Sequence, residues 1–338
     1  MKNNNNEVEV NSRKGKRKTI KKNKKRKIWM SILIPIGILF IIVTAYALNL
    51  FGRAQRAVND AYEDDGRERS ELREIDVDPA DDHVSVLFIG VDESDHRDNS
   101  GNALSDALIL ATLNKDENSV KLLSIPRDSY VYIPERGIHD KINHAHAFGG
   151  PKATIDAVEG FLDVPVDYFV RLNFHAFVDV VDALGGITVD VPFEFTESDS
   201  NDRRDTIHLY PGVQEIDGEE ALAFARTRKM DNDLERGRRQ QQVMEAILDK
   251  AVSIGSIMRF DNVIDAVGDN MSTSLSFNQM MSFISYGTSG KLDVETLNLE
   301  GSDLWLPNSS GQRIYYFELD EDHLAETQRT LREHLELE

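Results

Sequence analysis

Beyond residue 83 the chain alternates compact apolar runs with apolar stripes at helical spacing. VSVLFIGVD, ALILATLN and SVKLLSIP are short, β-rich runs bounded by loop formers, and each predicts a buried or half-buried strand. NKDEN, residues 114–118, separates the last two and predicts the turn of an antiparallel hairpin. From Pro151 the spacing of Ile155, Val158, Phe161 and Leu162 predicts a helix, with proline suited to its first turn, and VDYFVRLN follows as a strand. Phe177, Val180, Val181 and Leu184 mark a short helix that Gly185 and Gly186 end, before the strand ITVDVP. Asp217 with Glu220 three residues on predicts a capped helix start for GEEALAFARTR. A second helix from about Asp233 offers Val243, Ile247, Leu248 and Ala251 to a core, and KLDVETLNL and RIYYFEL read as strands. Strands alternating with helices predict α/β layers.

The first 51 residues follow another pattern. Residues 1–27 carry twelve Lys and Arg against Glu7 and Glu9, a local +10, while the whole chain is −20, which leaves −30 for the rest. Ile28 to Phe51 then runs for 24 residues without a charge, long enough as a helix to cross a bilayer. A cleaved signal peptide has a shorter apolar core, so the span reads as a retained transmembrane anchor. Basic residues before it fix a cytoplasmic amino terminus and an extracellular carboxyl-terminal part at the cell membrane. The predicted order is therefore a basic tail (1–27), an anchor (28–51), a polar linker or stalk (52–82), an α/β domain (83–320) and a charged, solvated helical tail (321–338). With no cysteine the exported part relies on its core, which roughly 250 residues can supply.

Candidate chemistry lies in four segments. ALAFARTRKMDNDLERGRRQQ gathers Arg226, Arg228, Arg236 and Arg239 around Asp233 in an otherwise acidic region. Guanidinium forks match phosphate oxygens in pairs, so the cluster suits a phosphate or pyrophosphate; a salt-bridged helix face is the other reading. Asp92 closes the first strand and Asp106 opens the second, and such hard oxygen ligands suit magnesium, unless they only cap turns. Arg127 and Asp128 follow the third strand, placed either to reach into a cleft or to form a structural ion pair. KINHAHAFGGP brings Lys141 and Asn143 to a glycine-ended loop, while His144 and His146, without a nearby third ligand, are weak grounds for zinc.

Taken together, GVD, SD before an apolar strand, SIPRDSYV, KINHAHAFGG, VDALGGITVDVP, DGEEALAFARTRK and DLERGRRQQQV resemble the LytR-CpsA-Psr family over residues 84 to 255, in the same order throughout. The resemblance implies a three-layer α/β/α domain with a mixed central sheet behind one transmembrane helix, and an apolar groove for a lipid. It implies transfer of an anionic glycopolymer from an undecaprenyl-pyrophosphate carrier to a peptidoglycan hydroxyl. On that basis Arg127, Arg226, Arg228 and Arg236 would grip the pyrophosphate, Asp92 and Asp106 would hold Mg2+, and Asp233 with Arg236 and Arg127 would serve catalysis. One position departs from the pattern: Leu104 stands where family members commonly carry arginine before SD, a contact that Arg97 would have to supply.

Two other functions use the same residues. A membrane-tethered receptor for polyprenyl pyrophosphates needs the arginines but not Asp233, and a pyrophosphatase puts water in place of the sugar hydroxyl. Val243 and Ile247 are candidates for the lipid groove, although such a stripe is usually core. Nucleic acid is excluded as a partner because the exported part is acidic.

Overall fold

The computed structural model describes residues 49, 51–53, 55–92, 103–229, 233–251, 270–283 and 291–337, without the Asp233 side chain. The chain divides into two compact units, residues 1–53 and 54–338. The predicted anchor falls almost wholly outside the described residues, among which no helix is long and apolar enough to cross a membrane.

Fourteen strands are described: β1 (Val84–Val91), β2 (Ser105–Asn114), β3 (Ser119–Ser124), β4 (Tyr130–Ile133), β5 (Ile138–Lys141), β6 (Tyr168–Asn173), β7 (Ile187–Val191), β8 (Phe195–Glu197), β9 (Ile207–Leu209), β10 (Gly212–Ile216), β11 (Met271–Thr273), β12 (Asp293–Asn298), β13 (Gly301–Pro307) and β14 (Arg313–Leu319). The helices include α1 (Asn143–Leu162), α2 (Phe174–Leu184), α3 (Gly218–Arg226), α4 (Asp233–Ala251), α5 (Phe277–Ser282) and α6 (Glu321–His334). Six strands form a central mixed sheet in the order β11-β6-β1-β2-β3-β12. β1 runs parallel to β6 and β3 parallel to β12, while β2 lies antiparallel between β1 and β3. The carboxyl ends of β1, β3, β6 and β12 therefore share one edge of the sheet.

Side chains alternate across this sheet because the strand period is two. Leu87, Ile89, Leu108, Leu110 and Leu123 face one way, onto Ile155, Val158 and Leu162 of α1 and Leu331 of α6. Ile109, Ala111, Val120 and Leu122 face the other way, with Met244 and Leu248 of α4 packed against them. The sheet is thus covered by helices on both faces.

Local signals explain several elements. Asn118 takes a positive φ of 51° in the β2–β3 turn, and the Glu117 N–H donates to Asn114 Oδ1 at 2.9 Å. Asp217 and Glu220 form a reciprocal capping box on α3. Gly185 and Gly186, at φ 80° and 83°, end α2, and a Cβ on Gly186 would stand 2.8 Å from the Ile216 carbonyl oxygen.

Four expectations change. Asn143–Phe148 is helical rather than loop, and the helix breaks at Gly149 and Gly150 before restarting at Pro151. Residues 55–82 pack on the domain instead of forming a stalk, since Arg73 pairs with Asp167 at 2.6 Å and Arg67 reaches Glu159 at 3.3 Å. The carboxyl-terminal helix is no solvated tail: Leu331 and Leu335 are buried in the main core. Ala251, expected in the core, is exposed at the end of α4.

Candidate functional site

The sheet topology brings the predicted carboxylates together at the edge where the parallel strands end. Asp92 follows Val91, whose register partner is Ser105, and Ser105 immediately precedes Asp106. Val91 also pairs with Asn173, the last residue of β6 and the N-cap of α2. Crevices beyond the carboxyl ends of parallel strands are where open α/β sheets bind ligands. Asp106 Oδ1 accepts a 2.8 Å hydrogen bond from Arg127 Nη1, so the start of β2 is tied to the loop after β3. Arg127 Nε lies 3.6 Å from Asp128 Oδ2, and Lys141 Nζ donates to Asp128 Oδ1 at 2.7 Å. Cations and carboxylates thus alternate from Asp106 to Lys141.

Helix α4 approaches this edge because Gly237 lacks a side chain. A Cβ there would meet Ser124 Oγ, at the end of β3, at 2.7 Å. Gln241, one turn on, donates to the carbonyls of Leu122 and Leu297 at 3.0 and 2.5 Å and so rivets the helix across β3 and β12. Arg236, next to Gly237, is 5% exposed. The strand edge with Asp106 and the arginine-rich helix with Arg236, 130 positions apart in sequence (236 − 106), are brought together here.

The arginines divide into separate tasks. Arg226 Nη2 donates to the Ser198 and Asp199 carbonyls at 2.8 and 3.1 Å, and its guanidinium lies 5.8 Å over the Phe174 ring at the start of α2. Burial alone would raise the Asp199 carboxyl, but hydrogen bonds from the Arg203 backbone and side chain and from the Asn201 backbone hold it below the ordinary carboxylate range. Arg228 is exposed. Arg239 belongs to the scaffold: it is 4% exposed and donates to the Phe224 and Thr227 carbonyls at 3.0 and 2.5 Å, satisfying the end of α3. Asp233 opens α4, and Arg97 lies outside the described residues.

Among the described residues the buried polar side-chain atoms that make no hydrogen bond include Ser105 Oγ, Asn143 Oδ1 and Thr227 Oγ1. All three adjoin the site in sequence or register, beside Asp106, hydrogen-bonded to the Arg127 backbone, and one residue before Arg228. A buried polar group without a partner costs stability unless a ligand supplies one. Two carboxylates at adjoining strand ends, beside an orphaned hydroxyl, fit a magnesium ion that keeps waters and shares a substrate phosphate. His144 Nδ1 bonds Asp140 and His146 Nδ1 bonds the Ala103 carbonyl, each at 2.8 Å, and neither histidine belongs to a group of three possible metal ligands among the described residues. His83, Asp116 and Glu336 also lie close enough to share a metal, but His83 Nδ1 accepts the Lys115 N–H, so its Nε2 carries the proton in the neutral ring and is no metal donor.

The LytR_cpsA_psr family model matches residues 48–333. The chain belongs to this family. It is 38% identical over 322 residues, 93% of this chain and 97% of the relative, to the polyisoprenyl-teichoic acid–peptidoglycan teichoic acid transferase TagT of Bacillus subtilis. A solved structure of TagT bound to LI-WTA superposes with a TM-score of 0.66 at 40% identity, covering 80% of this chain and 98% of that one. Another, of YwtF (TagT) with bound octaprenyl pyrophosphate lipid, gives 0.62 at 37% identity, with the same coverage of 80% and 98%.

One sequence reading is corrected by packing. Val243 is buried in the core between α4 and β7, and Ile247 packs against the same cluster, so neither lines an open lipid groove. Leu104 is 41% exposed between buried Ala103 and Ser105. Ser105 and Gln241 are the polar residues that sequence reasoning passed over. Gln241 had a signal, its four-residue spacing from Gly237, but Gln240 and Gln242 flank it and hide which of the three faces inward.

Proposed function

We propose that the chain transfers a teichoic-acid-like or capsular glycopolymer from a polyprenyl-pyrophosphate carrier to a peptidoglycan hydroxyl. The observation that carries this reading is the Arg127–Asp106 pair at the carboxyl edge of the sheet, where α4, which carries the buried Arg236, packs through Gly237 against Ser124 at the end of β3. Phosphoryl transfer asks little covalent help of a protein; it needs the phosphates held in line and their charge neutralised. Arg127, Arg226, Arg228 and Arg236 grip the pyrophosphate, with Arg226 preset by the Phe174 ring and two carbonyls. Asp92 and Asp106 would hold magnesium, which when bound neutralises phosphate oxygens. The acceptor oxygen bonds to the phosphorus that carries the polymer, the bond from that phosphorus to the bridging oxygen breaks, and polyprenyl phosphate leaves with the electron pair. Asp233 takes the hydroxyl proton. The first residues anchor the chain as a single-pass protein of a Gram-positive-type envelope, with the domain outside; the 24-residue uncharged run and its basic flank support this.

The test combines the full chain with magnesium, a short polyprenyl-pyrophosphate-linked saccharide and peptidoglycan oligomers, and scores covalent product by mass. Product from the unmutated chain but not from Asp233→Asn or Arg236→Ala is expected. Saccharide released without attachment identifies a hydrolase instead, and binding of the lipid without turnover identifies a receptor.

A further inference from the structure

An aromatic ribbon runs outward from the charged end of the site along two hairpins. It begins at Lys141, whose ammonium bonds Asp128 and lies 5.8 Å from the ring centroids of both Tyr315 and Tyr316. On one side Tyr315 meets Trp305, its register partner across β13–β14, at 5.4 Å. On the other side Tyr316 meets Tyr130 edge-on at 4.9 Å, and His139 joins Tyr130 to Tyr132 at 5.5 and 5.3 Å. Trp305 is 46% exposed and Tyr132 49%. The hairpins are fixed to the site itself: the Phe317 N–H of β14 donates to the Asp128 carbonyl at 2.8 Å, and Phe317 bridges Ser129.

Trp305, Tyr132 and His139 are exposed and Tyr130, Tyr315 and Tyr316 half-buried, whereas a fold that needed these rings only as core would bury them all. We propose that this ribbon binds the acceptor glycan, a chain of pyranose sugars whose hydroxyl enters the site; the inference rests on the transferase reading. The electron-poor C–H face of a pyranose ring complements the negative face of an aromatic ring, and the ring edges carry polar partners for sugar hydroxyls. Tyr315 Oη, for one, donates to exposed Asp303 at 3.3 Å. Position selects acceptor over donor. The donor's pyrophosphate belongs on the arginines, and an in-line attack requires the acceptor to arrive from elsewhere, along a surface continuous with the site. A membrane interface also favours exposed Trp and Tyr, but the exposed charges along this ribbon are of both signs, Asp303, Glu135 and Glu318 with Arg313 at 5.6 Å over the Trp305 ring, and do not make the basic face that anionic lipid attracts.

The experiment measures binding of the full chain by calorimetry to three probes: a purified peptidoglycan tetrasaccharide free of wall polymer, a short-chain polyprenyl pyrophosphate, and anionic phosphatidylglycerol vesicles. Trp305→Ala and Tyr315→Ala should each weaken the tetrasaccharide by about tenfold or more, the scale of an aromatic hot spot. Trp305→Phe should retain most of the affinity, and Tyr210→Ala, which removes an exposed ring elsewhere, should retain all of it. Polyprenyl-pyrophosphate affinity should be unchanged in every one. Unaltered tetrasaccharide affinity in Trp305→Ala, no tetrasaccharide binding by the unmutated chain, or a loss confined to vesicles overturns the proposal. Failure of the unmutated chain to bind polyprenyl pyrophosphate, with the aromatic dependence of glycan binding intact, would count against the transferase reading and leave the glycan surface standing.

Discussion

The two ends of the central sheet treat buried polar groups in opposite ways. At the β2–β3 turn, polar atoms are matched one to one: His334 Nδ1 bonds Thr112 Oγ1 and Nε2 bonds Ser119 Oγ, each at 2.8 Å, while Asn114 Nδ2 donates to the His334 carbonyl at 2.9 Å. At the opposite end, Ser105 Oγ and Asn143 Oδ1 make no hydrogen bond among the described residues, beside a crowd of cations and carboxylates. The first end is finished as a scaffold, whereas the second keeps hydrogen-bonding capacity for something else. That contrast separates structural polarity from functional polarity better than charge does, since both ends carry it.

The sharpest way to break the comparison is to strip the cations. Arg127→Ala and Arg236→Ala should each lower transfer by about 10²–10³-fold, the scale of losing one preorganised donor to a developing charge. Melting temperature should change little for Arg127→Ala, and steady-state transfer beside a thermal melt checks both.

Acid should act at the scaffold end. Burial first, then Lys121, lowers His334 from 6.5 to about 4, so the ring is neutral in the fold and the unfolded chain binds more protons between those values. The resulting stability is complete above pH 6.5 and is lost as pH falls toward 4. A shift of that size is worth about 3 kcal/mol. Urea unfolding of the wild type against His334→Asn should show the difference shrinking over that window; parallel curves would refute the assignment.

Smaller changes sharpen the contrast. Thr112→Val orphans a buried histidine nitrogen and should cost about 1–3 kcal/mol, whereas Ser105→Ala removes a hydroxyl with no bond to lose and should cost less than about 0.5 kcal/mol. Chemical denaturation of the pair tests this directly. Leu104→Arg should tighten polyprenyl-pyrophosphate binding by about fivefold, the worth of one exposed charge-assisted contact, as measured by calorimetry.

Much of this was readable from local pattern. The β2–β3 hairpin, the α3 capping box and the glycine-terminated α2 each rest on residues within a few positions of one another. The motif residues Asp106, Arg127, Lys141 and Arg236 were also legible, because their chemistry is unusual in an acidic chain. What stayed hidden depends on distant partners. Arg236 and Arg239 look alike in RGRR, yet only the fold sends Arg239 to the carbonyls of α3. Residues 52–82 look like a linker because their ordering comes from ion pairs such as Arg73–Asp167, 94 positions apart. The last helix looks solvated because Leu331 and Leu335 stand among charges, and only the sheet face shows what they cover.

The most direct measurement is the affinity of the full chain for a short polyprenyl pyrophosphate in the presence of magnesium, compared between the wild type, Arg127→Ala at the open end and Thr112→Val at the closed end. The account predicts a loss of about a hundredfold for Arg127→Ala, within the range of one charged contact at a preorganised site, and none for Thr112→Val at a temperature where it is folded. Equal affinity for Arg127→Ala and the wild type would contradict it and move the ligand away from the carboxyl edge of the sheet.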